Sequence, residues 1–275
     1  MRYATSDLSF TDEKDQYLKL KITVTYGNIM FTYDSLLRDV PKGVKVGIGR
    51  GTDRGDVEKS AAAFNDVKIY DDPGRLVNDL KDGKIDAAVR GDMSSSKLLR
   101  CIKEIFKLSD IQRTVLLEPA GKKMIFVAPV GIDEGWTVRQ KYELAVKSVR
   151  LMRRIGTGER IAVMSGGRDD DKGRNATVDR TIDDAAELVK LLRSEGYDAY
   201  NAEILIESAV DDADLLIAPD GISGNLIFRS LHFLGGARAL GAPVLNMNKV
   251  FVDTSRVKTD YRDSIALAMR LTVNK

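Results

Sequence analysis

The sequence predicts an α/β fold, with parallel-rich sheets covered by helices on both faces in three layers. Three observations point to it. From residue 44 onward, short apolar runs of strand length alternate with longer amphipathic runs of helical period. The helical runs stop at glycines, at Gly83, Gly156 and Gly196, as helix ends commonly do. Strand-helix alternation at this spacing is the mark of a mostly parallel sheet whose crossovers are helices. The chain is also large enough for a sizeable core, with 275 residues of which 43% are hydrophobic.

In order, residues 1–16 read as a flexible arm and 18–25, where apolar and polar residues alternate, as a strand. Strand 44–48 leads to a short helix over 57–64, and strand 67–70 to a helix over 73–82 that Pro73 opens. Strand 85–89 precedes a helix over 94–108 that Ser94, Ser95 and Ser96 cap. Strands 115–117 and 124–128 precede a long helix over 138–155. Strand 161–164 leads to a helix over 178–194, followed by a strand at 202–205. A buried run, Leu215 to Ile217, then ends at Pro219 and opens into an amphipathic helix.

Composition narrows the function. Lys plus Arg number 43 and Asp plus Glu 41, so the net charge is +2 and no basic stripe suggests nucleic acid. Cys101 is the only cysteine and His232 the only histidine, which excludes a disulfide framework and a thiolate or histidine-rich metal cluster. No apolar run approaches the roughly 18 residues of a membrane span, and the N-terminus lacks a signal-peptide core. A cytoplasmic protein with no bound metal is expected. Cys101 falls on the buried stripe of its helix, and His232 reads as a structural residue.

The most informative stretch runs from residue 213 to 265. After Leu215 to Ile217 come Pro219, Asp220, Ser223, Gly224 and Asn225, a strand opening through a Gly-rich turn onto a helix N-terminus. Such a turn offers backbone N–H groups and the positive end of the helix dipole to an anion. Further on stand Leu234 to Gly241 and Asn248 to Arg256. The order P-D-x-x-S-G-N, L-G-G-A-x-A-x-G, N-K-x-x-x-D-x-S-R resembles the C-terminal signature of the phosphate acetyl/butyryltransferase superfamily. Two more stretches fit it. One is Gly83 to Phe106, with Arg90, Ser94, Ser95 and Lys97. The other is a strand running into Ser165, Gly166, Gly167 and Arg168. The pattern S-G-G-R-x-x-D-x-G-R resembles a subgroup from methanogenic archaea, called MtxX or methanogenesis marker protein 4 and labelled as methyltransferase subunits.

The resemblance implies a phosphotransacetylase or isopropylmalate-dehydrogenase-like fold of two domains, 1–117 with 245–275 and 118–244, with the active cleft between them. It implies a homodimer and a small phosphorylated or coenzyme A-type ligand, with coenzyme A as the one cofactor to expect. Asp220, Ser223, Gly224, Asn225, Ser94, Ser95, Ser165, Gly166 and Arg168 would bind the ligand. By resemblance, Arg256 would hold an acyl phosphate and Ser255 lie near its carbonyl. The family's general base falls at position 262, which is Arg here, so Asp260 and Asp263 are the acids at hand. The family also has arginine directly before L-G-G, where this chain has Phe233. Arg229, one helical turn earlier, stands at the position of a family lysine. The expected protein is therefore a transferase homologue diverged from acetyl transfer, or a methyl-transfer or metabolite-binding accessory protein. A methyltransferase nucleotide motif is not evident: Gly47, Gly49 and Gly51 follow a strand, but Thr52 takes the third glycine's place and Lys45 that of the usual acid.

Overall fold

The computed structural model describes residues 32–38, 40–51 and 55–273. The arm at 1–16 and the strand at 18–25 lie outside them. The strands are β1 Val46–Gly49, β2 Val67–Tyr70, β3 Ala87–Val89, β4 Val115–Glu118, β5 Ile125–Ala128, β6 Ile161–Met164, β7 Ala199–Glu203, β8 Leu215–Ile217, β9 Arg238–Pro243 and β10 Val250–Asp253. The helices are α1 Tyr33–Arg38, α2 Asp56–Ala61, α3 Pro73–Lys81, α4 Ser95–Phe106, α5 Val138–Ile155, α6 Ala176–Ser194, α7 Ile206–Asp212, α8 Gly221–Arg229 and α9 Arg262–Val273. No described helix is long and apolar enough to cross a membrane.

All ten strands form one sheet, ordered β2-β1-β3-β10-β9-β4-β5-β8-β6-β7. It is mostly parallel; β9 runs antiparallel to both β10 and β4, and β4 to β5. The strands of the 1–117 segment other than β4 therefore stand on one side of β9 with β10, and β4 to β8 stand on the other.

Side chains alternate across the sheet, and the two faces are covered differently. On one face a single apolar cluster runs the whole width. It takes Ile48 and Val89 from one side, Val252 and Leu240 from the middle, and Phe126, Val163 and Ile217 from the other, under α2, α5, α6 and α9. On the opposite face the cover splits. Leu76, Leu80, Leu98 and Ile102 of α3 and α4 pack on Ala88 and Phe251, while α7 and α8 pack on Val127, Leu216 and Ala239. The gap between these two groups, over β9 and the end of β10, is where a cleft opens.

Three elements escape the sequence pattern. The strand expected at 202–205 lies at 199–203, because pairing with β6 fixes its register and Glu203, at φ 53°, ends it. Helix α7 has only seven residues. Strand β9 is hidden behind Gly235 and Gly236, which read as turn residues.

Candidate functional site

The cleft holds a cavity of about 430 Å³. Its lining comes from the start of α4 (Ser95), from α8 and the wider turn that continues it (Asn225, Phe228, Arg229, His232), and from the segment after β10 (Thr254 to Lys258). Val115, Ala239, Gly241 and Ala242 form its floor with Arg90, Arg113 and Asp253.

The turn from β8 into α8 shows what the Pro219–Asn225 sequence does locally. Asp220 caps the helix, accepting from the Ser223 backbone N–H at 2.8 Å and from its hydroxyl at 3.1 Å. Gly221 and Gly224 are required by close approach: a Cβ would fall 1.7 Å from the Gly131 carbonyl oxygen and 1.8 Å from that of Pro129, respectively. Asn225 donates to the Val130 carbonyl at 2.8 Å. The motif thus presses α8 onto the 129–131 turn. The backbone N–H of Gly221 donates to Glu134 O, that of Ser223 to Asp220, and that of Gly224 to Asp220 O. The expected anion cradle of free N–H groups is therefore not present at these three residues, and the charge that could hold an anion comes from side chains.

Beneath the cavity lies a buried ion network. Asp253, 7% exposed, takes Arg90 on one oxygen and Arg113 on the other at 2.6 Å; it also accepts from the Thr254 N–H at 3.0 Å. Arg113 reaches on to Glu134 at 2.7 Å, and Arg90 donates to Met93 O at 3.0 Å. Burial alone would raise the Asp253 carboxyl, but the two guanidinium charges outweigh it and hold the pKa below the usual carboxylate range. Burial likewise pulls Arg113 down, and the charges of Asp253 and Glu134 outweigh it, so its pKa is raised. Glu134 goes the other way: burial exceeds the pull of Arg113 and raises it.

The rim carries Ser255, half-buried, and Arg256, exposed. The Arg229 guanidinium lies 5.0 Å from the centroid of the Phe233 ring. Phe233 therefore replaces a charge in sequence while supporting one in space. His232 sets Nδ1 2.8 Å from Ala237 O and stacks on Phe228, in keeping with a structural residue. Lys258 donates to Asp263 at 2.7 Å and to Ala239 O.

Of the residues singled out in sequence, Ser95, Asn225, Ser255 and Arg256 come together in this cavity, with Arg90, Arg229 and His232. Gly224 is buried on the face of α8 that meets the 129–131 turn, and Asp220 and Ser223 are engaged with each other. Ser94 lines a separate pocket with Arg50 and Lys97. Ser165, Gly166 and Arg168 stand beyond β6, outside the lining, where the Ser165 hydroxyl donates to Gly167 O at 2.7 Å and the Gly166 N–H to Thr181 at 2.8 Å. The Arg168 N–H is taken by Asp171. Asp260 grips Arg262, which lowers its pKa, and neither residue lines the cavity. Asp263 is buried behind Lys258, its pKa raised chiefly by that burial. Sequence reading missed Arg113, Glu134 and Lys258. Asp253 stood in the N-K-x-x-x-D-x-S-R pattern as its fixed acid, which was a usable signal.

Comparison with known proteins first defines the class. A phosphotransacetylase from Staphylococcus aureus superposes with a TM-score of 0.65 at 15% identity, covering 88% of this chain and 98% of that one. A branched-chain phosphotransacylase from Enterococcus faecalis gives 0.63 at 15%, covering 87% and 93%. The fold is that of the phosphate acetyl/butyryltransferases. No family profile matches the chain. A protein of Methanosarcina acetivorans named "Putative methyltransferase mtx subunit X" is 40% identical over 221 residues, 79% of each chain. The chain belongs to this methanogen mtx subunit X family.

Proposed function

We propose that the cavity binds a small phosphate-bearing ligand of the acyl-phosphate or coenzyme A type, and that the protein is a transferase homologue whose reaction has diverged from acetyl transfer. The observation that carries this is charge: Arg90, Arg113 and Lys258 line the cavity with Asp253, Glu134 and Asp263 as their partners, and Arg229 and Arg256 add positive charge to the same lining. A planar guanidinium at the rim suits phosphate oxygens. The divergence rests on the acids. Asp260 is bound to Arg262, and Asp263 faces Lys258, so neither is placed to take a thiol proton.

Calorimetry with phosphate, acetyl phosphate and coenzyme A tests the binding. Arg256→Ala should weaken phosphate more than tenfold, since charged hydrogen bonds contribute roughly 1.5–3 kcal/mol each; unchanged affinity sinks the reading. A thiol-release assay with acetyl phosphate should give turnover well below about 10 per second, the enzyme median.

The relatives' name raises methyl transfer, and S-adenosylmethionine is one donor to weigh. The Gly47–Gly51 stretch does not favour it: Gly47 and Gly49 lie within β1 and do not follow it, a Cβ on Gly47 would meet Leu76 and Ile85 at 2.6 Å, and one on Gly51 the Asp92 carbonyl oxygen at 2.7 Å. The space is already filled by the protein, and low-micromolar binding of S-adenosylmethionine would overturn this. The same reading takes the two helix groups on the open face as parts of the two domains, 1–117 with 245–275 and 118–244. It also has the protein acting in the cytoplasm as a homodimer through the exposed Ile222 and Leu226 of α8. Light scattering at twice the 30.4 kDa chain mass checks the dimer.

A further inference from the structure

The β9–β10 pair has two ends, and the cleft uses one. At the other end, where β9 leaves at Pro243 and β10 enters at Val250, lies a separate cavity of about 470 Å³ that shares no lining residue with the first. Lys147, Arg150 and Arg154 project into it from one face of α5, at the three- and four-residue spacing that aligns side chains on a helix, and Lys249 meets them from the β9–β10 turn. No carboxylate lines it among the described residues; Glu143 approaches Lys147 at 3.7 Å from outside. The floor is apolar, with Leu151 and Leu245.

Cations near a helix C-terminus are often there to offset the dipole. That accounts for Arg154. Lys147, two turns earlier, donates to the Gln112 side chain, but neither contact accounts for Arg150 or for Lys249, which is on another element. Arg150 and Lys249 make no hydrogen bond or ion pair among the described residues. Like charges converging on a concave apolar floor repel one another, and an anion that bridges them removes that repulsion.

We propose that this rear cavity is a second ligand site, for a small organic anion carrying a phosphate-type group on an apolar segment. The phosphate sits between Arg150 and Lys249 and the apolar part lies on Leu151 and Leu245. Val250 lines this cavity and Asp253 the other, so three residues of one strand, about 10 Å, separate the two sites.

The inference stands apart from the cleft reading, and calorimetry with octyl phosphate distinguishes them. The probe should bind the native protein, with inorganic phosphate binding the rear site more weakly for want of the apolar segment. The charge reversal Arg150→Glu with Lys249→Glu should cut octyl phosphate affinity at this site at least tenfold, while Arg256→Ala should leave it within twofold. Both reversed residues lack hydrogen-bond or ion-pair partners among the described residues, so the melting temperature should hold. No octyl phosphate binding by the native protein, or undiminished binding by the double variant, overturns the proposal.

Discussion

Asp253 is the residue on which the site's charge balance turns. It is buried, and it alone joins Arg90 and Arg113, which come from opposite sides of β9. Removing one partner of a buried pair leaves the others uncompensated, at about 3–5 kcal/mol. Asp253→Asn should therefore lower unfolding stability by that order in urea titrations at pH 7. The pH dependence follows from the same geometry. The folded pKa of Asp253 is depressed, so its contribution is present above the unfolded value, about 3.9, and is lost as pH falls through the folded value. Native protein should show this acid loss, and Asp253→Asn should show a shallower one; parallel acid limbs would mean that Asp253 is not the group responsible. Lys258 makes a second case. Lys258→Met leaves Asp263 buried without its ammonium partner, and the double change with Asp263→Asn should recover part of the loss in a double-mutant cycle. How far such residues are legible depends on distance. Asp253 stands in a motif that can be read. Arg113 meets it from 140 positions away and Glu134 joins only through Arg113, and no local pattern encodes a contact of that range.

At the scale of elements, the legible parts are those whose signals are local. Helix α5 has the limits its sequence predicts, with Gly156 closing it in the left-handed conformation; the structure adds the Thr137 cap, which accepts from the Gln140 N–H. Strand β9 is not predicted, because its pairing with β4 and β10 comes from the sheet and not from its Gly-rich sequence. The Pro219–Asn225 motif was read correctly as a strand-turn-helix and only partly as to its work: its glycines serve contact with the 129–131 turn. That gives a test against ordinary propensity. In a helix interior Gly→Ala stabilises by roughly 1 kcal/mol. In α8, Gly224→Ala must displace a backbone carbonyl 1.8 Å from the new Cβ, and should destabilise by about 1–3 kcal/mol instead. It should also weaken phosphate binding, since Asn225 and Arg229 move with the helix. A thermal midpoint at or above the native one would show that α8 is not seated as described.

At the scale of the whole molecule, the three layers follow from alternation, whereas a cleft between two halves is expected from the resemblance alone. Its position follows from where the open-face helices part, and that depends on strand order. The same order bears on folding. A division into two domains suggests two units, yet β9 pairs with β10 on one side and β4 on the other, and one apolar cluster crosses the full width beneath α2, α5, α6 and α9. Neither half can open without exposing part of that cluster. Calorimetry should therefore show one transition, with calorimetric and van't Hoff enthalpies equal. Leu240, fully buried at the centre of β9, is the place to press the point. Leu240→Ala should cost about 2–5 kcal/mol and move the single transition to lower temperature without dividing it, because the cluster still spans the sheet around the cavity left behind. Two resolved transitions in the variant, or in the native protein, would show that the strand pairing at β9 is a contact between separately folding halves and not a seam within one unit.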